Sequence, residues 1–242
     1  MTTVSYLAVE QLTVAFGGVR ALDGVNLAVA SGELVGLVGP NGSGKTTLVN
    51  VLSGYLRPDA GEARLEGRRI DGLDPTTLAH LGVLRTFQLT RVFPRMSVLE
   101  NLLVAGCALG LTPGAAEPRA LQLLEEISLL GLQNTDAGRL SGGQAKLLEF
   151  AACFMMSSRI TLLDEPFAAI HPTMKEVMAR FIRRRHAAGQ TFLLISHDMP
   201  VVIELCPRTI CLNAGGVIAD GETRQVFSNP HVIEAYLGEA AA

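Results

Sequence analysis

The chain has 242 residues, 48% of them hydrophobic and 18% charged. Its 20 Lys and Arg against 23 Asp and Glu leave a net charge of −3. That is material for one large domain, or a domain with a lobe, and it argues against both a disordered chain and a nucleic-acid binder with a global basic field.

The N-terminal part reads as β. Leu7 to Val14 is a strand, Phe16-Gly17-Gly18 turns it, and Ala21 to Ala30 is a second strand. Ser31-Gly32 then leads into the apolar run Glu33 to Val38. Gly39-Pro40-Asn41-Gly42-Ser43-Gly44-Lys45-Thr46-Thr47 follows, and Leu48 to Leu52 continues with helical spacing to about Gly54. Arg57 to Gly61 is a turn, Glu62 to Leu65 and Arg69-Ile70 are short strands around Gly67, and Pro75 to Leu81 is a short helix with proline in its first turn. Val83 to Phe87 is a strand leading into Gln88.

Between Ser97 and Ser158 the character becomes helical. Ser97-Val98-Leu99-Glu100 is a capping box opening an apolar helix, which Pro113-Gly114 and Pro118 are expected to break. Ala120 to Leu130 and Gln144 to Met156 give two more helices, separated by a turn over Gly138 to Gly143. The alternating pattern returns with Ile160 to Leu163, a buried strand ending in Asp164-Glu165-Pro166. Met174 to Ala187 is an amphipathic helix whose Arg180, Arg183, Arg184 and Arg185 read as a solvated face. Thr191 to Ile195 is a strand ending in Ser196-His197-Asp198. A hairpin turns about Asn213 to Gly216, and Val226 to Leu237 is a terminal helix interrupted at Asn229-Pro230. No basic region followed by an apolar run suggests a secretory signal. The apolar stretch Leu102 to Leu111 is too short to span a bilayer, so on a membrane another chain would supply the spanning helices. Cys107, Cys153, Cys206 and Cys211 form no CxxC pair and read as buried cytosolic thiols.

The loop Gly39 to Thr47 fits G-x-x-x-x-G-K-[ST] between a strand and a helix. Glycines let backbone N–H groups wrap an anion, and the helix dipole adds positive potential there. Lys45 supplies a point charge to the β- and γ-phosphates, and the Thr46 hydroxyl a ligand to Mg²⁺. A carboxylate on a neighbouring strand end completes such a site. Asp164 suits the metal, directly or through water, and Glu165 suits a general base that polarises the attacking water. His197 ends the next strand and faces the same crevice. Gln88 could reach the metal or the water, and Phe16 could either stack on a purine base or fill the core of a hairpin. Leu140-Ser141-Gly142-Gly143-Gln144 is a second glycine-bearing turn before a helix, with Ser141 as cap: another anion site, far from the first. Two half-sites in different lobes suggest nucleotide shared between two protomers.

These motifs resemble those of the ATP-binding cassette subunits of ABC transporters, over about Leu7 to Leu237. Gly39 to Thr47 is similar to the Walker A loop, Ile160 to Glu165 to Walker B with its glutamate, and Leu140 to Gln144 to the LSGGQ signature. Gln88 matches the Q-loop, His197 the switch histidine and Phe16 the adenine-stacking aromatic. The resemblance implies an α/β fold: a RecA-like P-loop NTPase core with an N-terminal antiparallel β subdomain (1–87 and 159–242) and an inserted α-helical signature subdomain (88–158). It implies ATP and Mg²⁺, a second ATP-binding subunit as homo- or heterodimer, transmembrane permease subunits and an external substrate-binding protein. The location implied is the cytoplasmic face of a bacterial membrane. Ser141 and Gly143 would then face the γ-phosphate bound by Lys45 of the other subunit, with Gly142 and Gln144 in the same nucleotide-binding turn.

Phe16 to Leu22, Arg85 to Gln88, Val98 to Asn101, His197 to Met199 and Val232 to Gly238 resemble the branched-chain amino-acid uptake subfamily, which also includes urea and short-amide importers. Two stretches depart from the pattern. Ala145-Lys146-Leu147-Leu148-Glu149-Phe150 is less basic than usual after the signature, and Ile170-His171 stands where relatives have Leu-Asp or Leu-Asn. An exporter or lipid-transporter cassette shares the chemistry with opposite cargo direction. A non-transport cassette ATPase would usually carry coiled-coil arms or two fused cassettes. A catalytically dead regulatory cassette would need Lys45 or Glu165 to be damaged, and both are intact.

Overall fold

The computed structural model describes residues 5–86, 92–108 and 110–240. The described strands form two sheets. The first has the order β2-β1-β4-β5, with β1 Leu7–Phe16, β2 Val19–Val29, β4 Ala60–Leu65 and β5 Arg68–Arg69, all antiparallel. The second has the order β10-β9-β3-β8-β7-β6. Its strands β3 Leu34–Val38, β6 Val83–Arg85, β7 Ile160–Asp164, β8 Thr191–Ile195 and β9 Arg208–Asn213 run parallel, and β10 Gly216–Glu222 pairs antiparallel at the edge. The fold is therefore α/β with an antiparallel β layer.

Continuous apolar runs explain the second sheet: every residue of β3, β7 and β8 is buried, as in a parallel sheet covered on both faces. Alternate residues feed two cores. Val35, Leu37, Leu162, Leu193 and Ile195 pack with the antiparallel sheet and helix α1 (Lys45–Leu52). Leu34, Val38, Leu163, Phe192 and Leu194 pack on the other side, with the helices that lie between β6 and β7 and with α6 (Pro172–Ala187).

The elements between β6 and β7 are helical: α3 Val98–Ala108, α4 Pro113–Glu126 and α5 Gly142–Ala152, with two short 3₁₀ turns. The Ser97 cap forms as expected, with Ser97 Oγ accepting from the Glu100 N–H and a Glu100 carboxylate oxygen from the Ser97 N–H. The expected interruption at Pro113-Gly114 also forms, since α3 ends at Ala108 and α4 begins at Pro113, but the one at Pro118 does not. Pro113 occupies the first turn of α4, where its missing N–H costs nothing, and the helix runs on through Pro118. Burial of Ala116, Ala120, Leu123 and Leu124 on one face outweighs the hydrogen bond that Pro118 forfeits. Helix α5 starts two residues earlier than periodicity suggests, because Ser141 caps it. Helix α7 (Met199–Leu205) lies outside the sequence expectations, and the C-terminal segment divides at Asn229 into α8 (Thr223–Ser228) and α9 (Pro230–Ala240).

Arg185 is not part of a solvated face. It makes a bidentate ion pair with Glu126 of α4 at 3.0–3.2 Å, and its guanidinium lies over the Phe181 ring. It thus ties the helical segment to α6.

The cysteines also divide. Cys206 and Cys211 are buried as expected, but Cys153 is only half-buried and Cys107 is exposed. Desolvation pushes the Cys153 and Cys206 thiols up to about 12, and that of Cys211 to about 11. Only thiolates react fast. Thiol titration of the folded chain at pH 8 is therefore expected to show one fast group, Cys107, abolished by Cys107→Ser. The other three should react far more slowly until the chain unfolds, Cys153 because its raised pKa leaves little thiolate and Cys206 and Cys211 because they are also buried.

Candidate functional site

The phosphate-loop segment is held by two glycines that no other residue can replace. Gly39 has φ 148°, and a Cβ there would lie 2.1 Å from the Leu212 carbonyl oxygen. Gly44, the N-cap of α1, has φ 106°, and a Cβ would lie 2.5 Å from the Ala21 carbonyl oxygen. The loop is thus pressed against β9 and β2. Three further hydrogen bonds hold it: Gly39 N–H to the Tyr236 hydroxyl at 2.7 Å, Ser43 N–H to Pro40 O at 3.2 Å, and Gly215 N–H to Ser43 O at 3.1 Å. Lys45 folds back over the loop, its Nζ donating to Gly39 O at 2.7 Å, Pro40 O at 2.8 Å and Ser43 Oγ at 3.2 Å.

A cavity of about 530 Å³ opens over this loop. Asn41, Gly42, Ser43, Gly44, Lys45, Thr46 and Thr47 line it, with Phe16 at 54% exposure on its rim. Asp164, Glu165 and His197 line it from the ends of β7 and β8. Residues up to 181 positions apart in the sequence thereby meet at the C-terminal edge of a parallel sheet, the end where such folds bind ligands.

Asp164 is buried, and its Oδ2 accepts from an Arg85 guanidinium nitrogen at 2.7 Å. Glu165 sits at φ 49°, a left-handed conformation that costs a non-glycine residue energy and is often found at functional sites. A Glu165 carboxylate oxygen accepts from His197 Nδ1 at 2.9 Å, which orients the two as a pair and leaves Nε2 as the outer nitrogen. Lys146 was not among the expected site residues, yet it lines the same cavity and donates to the Ala168 carbonyl oxygen just after β7. Desolvation by burial lowers its ammonium pKa, opposed by the charges of Glu149 and Glu165. No local pattern could have marked Lys146, which stands 101 positions after Lys45.

The donor set suits a hard divalent cation in company with phosphates. Thr46 and Asp164 offer oxygen atoms in one cavity, and the described residues contain no cluster of three or more His, Cys, Asp or Glu able to hold a metal alone. Mg²⁺ is commonly held in this way, with one or two protein oxygens and the rest from phosphate and water.

The signature turn lies elsewhere. Ser141, Gly142, Gly143 and Gln144 do not line the cavity. Ser141 caps α5 by accepting from the Gln144 N–H at 3.3 Å, and the Gln144 amide turns back to accept from the Ser141 N–H at 2.9 Å. Gln88 lies outside the described residues. His171 caps α6, its Nδ1 accepting from the Thr173 N–H at 3.4 Å, while Ile170 is buried. An Asp or Asn is a favoured residue at that cap, so the Leu-Asp to Ile-His change keeps the local role.

Comparison with known proteins places the whole arrangement. The ABC transporter family model matches residues 22–168, and that of the branched-chain amino acid ATP-binding cassette transporters matches 217–242. The chain is 41% identical, over 97% of its length and 98% of the relative's, to the high-affinity branched-chain amino acid transport ATP-binding protein BraF of Pseudomonas aeruginosa. An ATP-binding cassette of an ABC transporter, solved in its ADP conformation, superposes with a TM-score of 0.87 at 35% identity, covering 98% of this chain and 100% of that one. A dimeric cassette solved in a post-hydrolysis state with ADP and phosphate gives a TM-score of 0.78 at 26% identity, covering 90% and 99%. A phosphate loop, a strand-end Asp-Glu pair and a capped LSGGQ turn on one fold, matched along nearly the full length, show that the chain belongs to the ABC transporter family as an ATP-binding cassette.

Proposed function

We propose that the chain is the ATP-hydrolysing subunit of an importer for branched-chain amino acids or related small amides. It would act at the cytoplasmic face of a membrane, with permease subunits, a second cassette and an external binding protein. The observation that carries this reading is the cavity itself: Lys45, Thr46, Asp164, Glu165 and His197 converge in it, on a chain 41% identical to a transport ATP-binding protein. No helix among the described residues is long and apolar enough to cross a membrane, which fits a subunit whose permease is a separate chain.

Each residue has a physical part. The loop N–H groups and Lys45 receive the phosphates, while Phe16 on the rim offers a ring to the base. Thr46 and Asp164 would hold Mg²⁺, which neutralises charge on the phosphates. Glu165 takes proton density from the attacking water, and His197, fixed by Glu165, faces the transferred phosphoryl group. Gln88 would report the γ-phosphate and metal to the permease. Ser141, Gly142, Gly143 and Gln144 lie outside this chain's own cavity, so they would close over nucleotide bound to a second cassette, head to tail. A closed dimer that binds ATP better than the open one is populated by ATP and relaxes after hydrolysis.

The functional test is uptake. The chain, expressed with the permease that co-purifies with it, should restore ATP-dependent uptake of labelled leucine, isoleucine or valine to a strain lacking such uptake. Outward movement, or uptake of urea or short amides alone, would reassign the cargo. In a titration without turnover, Lys45→Ala should weaken ATP binding by roughly tenfold to a hundredfold, the worth of one charge-assisted contact. Unchanged affinity would remove Lys45 from the phosphate cradle.

A further inference from the structure

Asp164 does not approach the cavity alone. It is paired with Arg85, the last residue of β6, whose side chain is 12% exposed against 3% for Asp164. Strand pairing sets Arg85 beside Leu162, and the Asp164 N–H donates to Thr86 Oγ1 at 3.1 Å, so both ends of the contact are fixed by backbone register. The guanidinium is held in turn. One terminal nitrogen donates to Asn50 Oδ1 at 2.8 Å and to Ser53 Oγ at 2.9 Å, and the Tyr55 ring lies 5.7 Å from the guanidinium carbon. The other terminal nitrogen is the one on Asp164 Oδ2. Arg85 Nε is buried with no hydrogen-bond partner among the described residues.

A buried pair of this kind is poor value for stability, since apolar replacements are often neutral or stabilising. What a forked, anchored guanidinium does supply is a fixed carboxylate plane. With Oδ2 committed to Arg85, the other oxygen remains for a ligand in the cavity. We infer that Arg85 is a positioning residue for the metal site: it sets the Asp164 carboxylate, and through it the divalent cation beside the nucleotide. The inference rests on the reading above that Asp164 serves the metal. It requires geometry to outweigh charge, because a cation next to a metal ligand by itself repels the metal.

The test uses the full chain with a non-hydrolysable ATP analogue and Mn²⁺ as a paramagnetic probe, read by electron paramagnetic resonance. Asp164→Asn is the control. If it leaves Mn²⁺ affinity unchanged, the metal role of Asp164 fails, and the Arg85 inference with it. If the control weakens Mn²⁺, then Arg85→Met, which keeps the apolar stem, and Arg85→Lys, which keeps the charge, should each weaken Mn²⁺ about tenfold. Both should alter the Mn²⁺ spectrum while leaving metal-free analogue binding within about twofold. Tighter Mn²⁺ binding in Arg85→Met would show that charge rather than positioning dominates, and would overturn the inference. Unchanged Mn²⁺ affinity in both variants would overturn it as well. Should Arg85→Met fail to fold, Asn50→Ala removes only an anchor of the guanidinium and should weaken Mn²⁺ by roughly threefold; no change there would count against the inference.

Discussion

Glu165→Gln is expected to lower the rate of ATP hydrolysis by about 100- to 10,000-fold while leaving ATP binding nearly intact, the range that removal of a positioned general base produces. The substitution is close to isosteric. Its amide oxygen can still accept from His197 Nδ1, which lies 2.9 Å from the carboxylate, so the pair geometry should survive. The left-handed backbone at φ 49° should also persist, because the same strand end imposes it: the Glu165 N–H donates to Ile195 O at 2.9 Å. What is lost is the negative charge that draws proton density from water. Single-turnover phosphate release, measured beside nucleotide affinity, separates the two quantities. Turnover within about threefold of the parent would show that another group is the base. His197→Ala should also slow hydrolysis, but without changing the charge of the carboxylate.

Phe154→Ala should cost about 3–5 kcal/mol of stability, a large share of the 5–15 kcal/mol typical of a folded domain. Phe154 is 1% exposed, and its ring centroid lies 5.0 Å from that of Phe150, 4.7 Å from Phe181 and 6.4 Å from Phe192. These rings come from α5, α6 and β8, so one side chain joins the helical segment to the parallel sheet. Deleting it opens a cavity that none of the three elements can close alone. For a chain of this size the loss corresponds to a melting temperature lower by roughly 6 to 20 °C. Phe16→Ala is the matched control: at 54% exposure it should leave the melt nearly unchanged and act on nucleotide binding instead. A Phe154→Ala melt within about 2 °C of the parent would mean that the aromatic cluster is not what couples the two layers.

Local patterns made much of this protein legible. Gly39 to Thr47 could be read because a phosphate loop is a short-range device, with its glycines, lysine and helix start within nine residues. Asp164 and Glu165 could be read because an apolar run followed by acid marks a strand end, and Ser141 because a cap and its glutamine stand three residues apart. Pro118 shows the limit. A helix-breaking residue is a local statement, and the buried face of α4 overrode it.

The sequence by itself determined which groups carry the chemistry and in what order they occur along the chain. Only the tertiary structure decided what holds them. It placed Arg85 on Asp164, Lys146 on the Ala168 carbonyl, the Tyr236 hydroxyl on the Gly39 N–H and Arg185 on Glu126. Each of these contacts spans between 22 and 197 positions. They arise from sheet order and helix packing, and neither leaves a spacing signature, because pairing partners are chosen by the burial of whole faces rather than by neighbours in the chain. The same packing leaves Ser141 to Gln144 outside the cavity that Lys45 lines, as their place in the helical stretch had suggested.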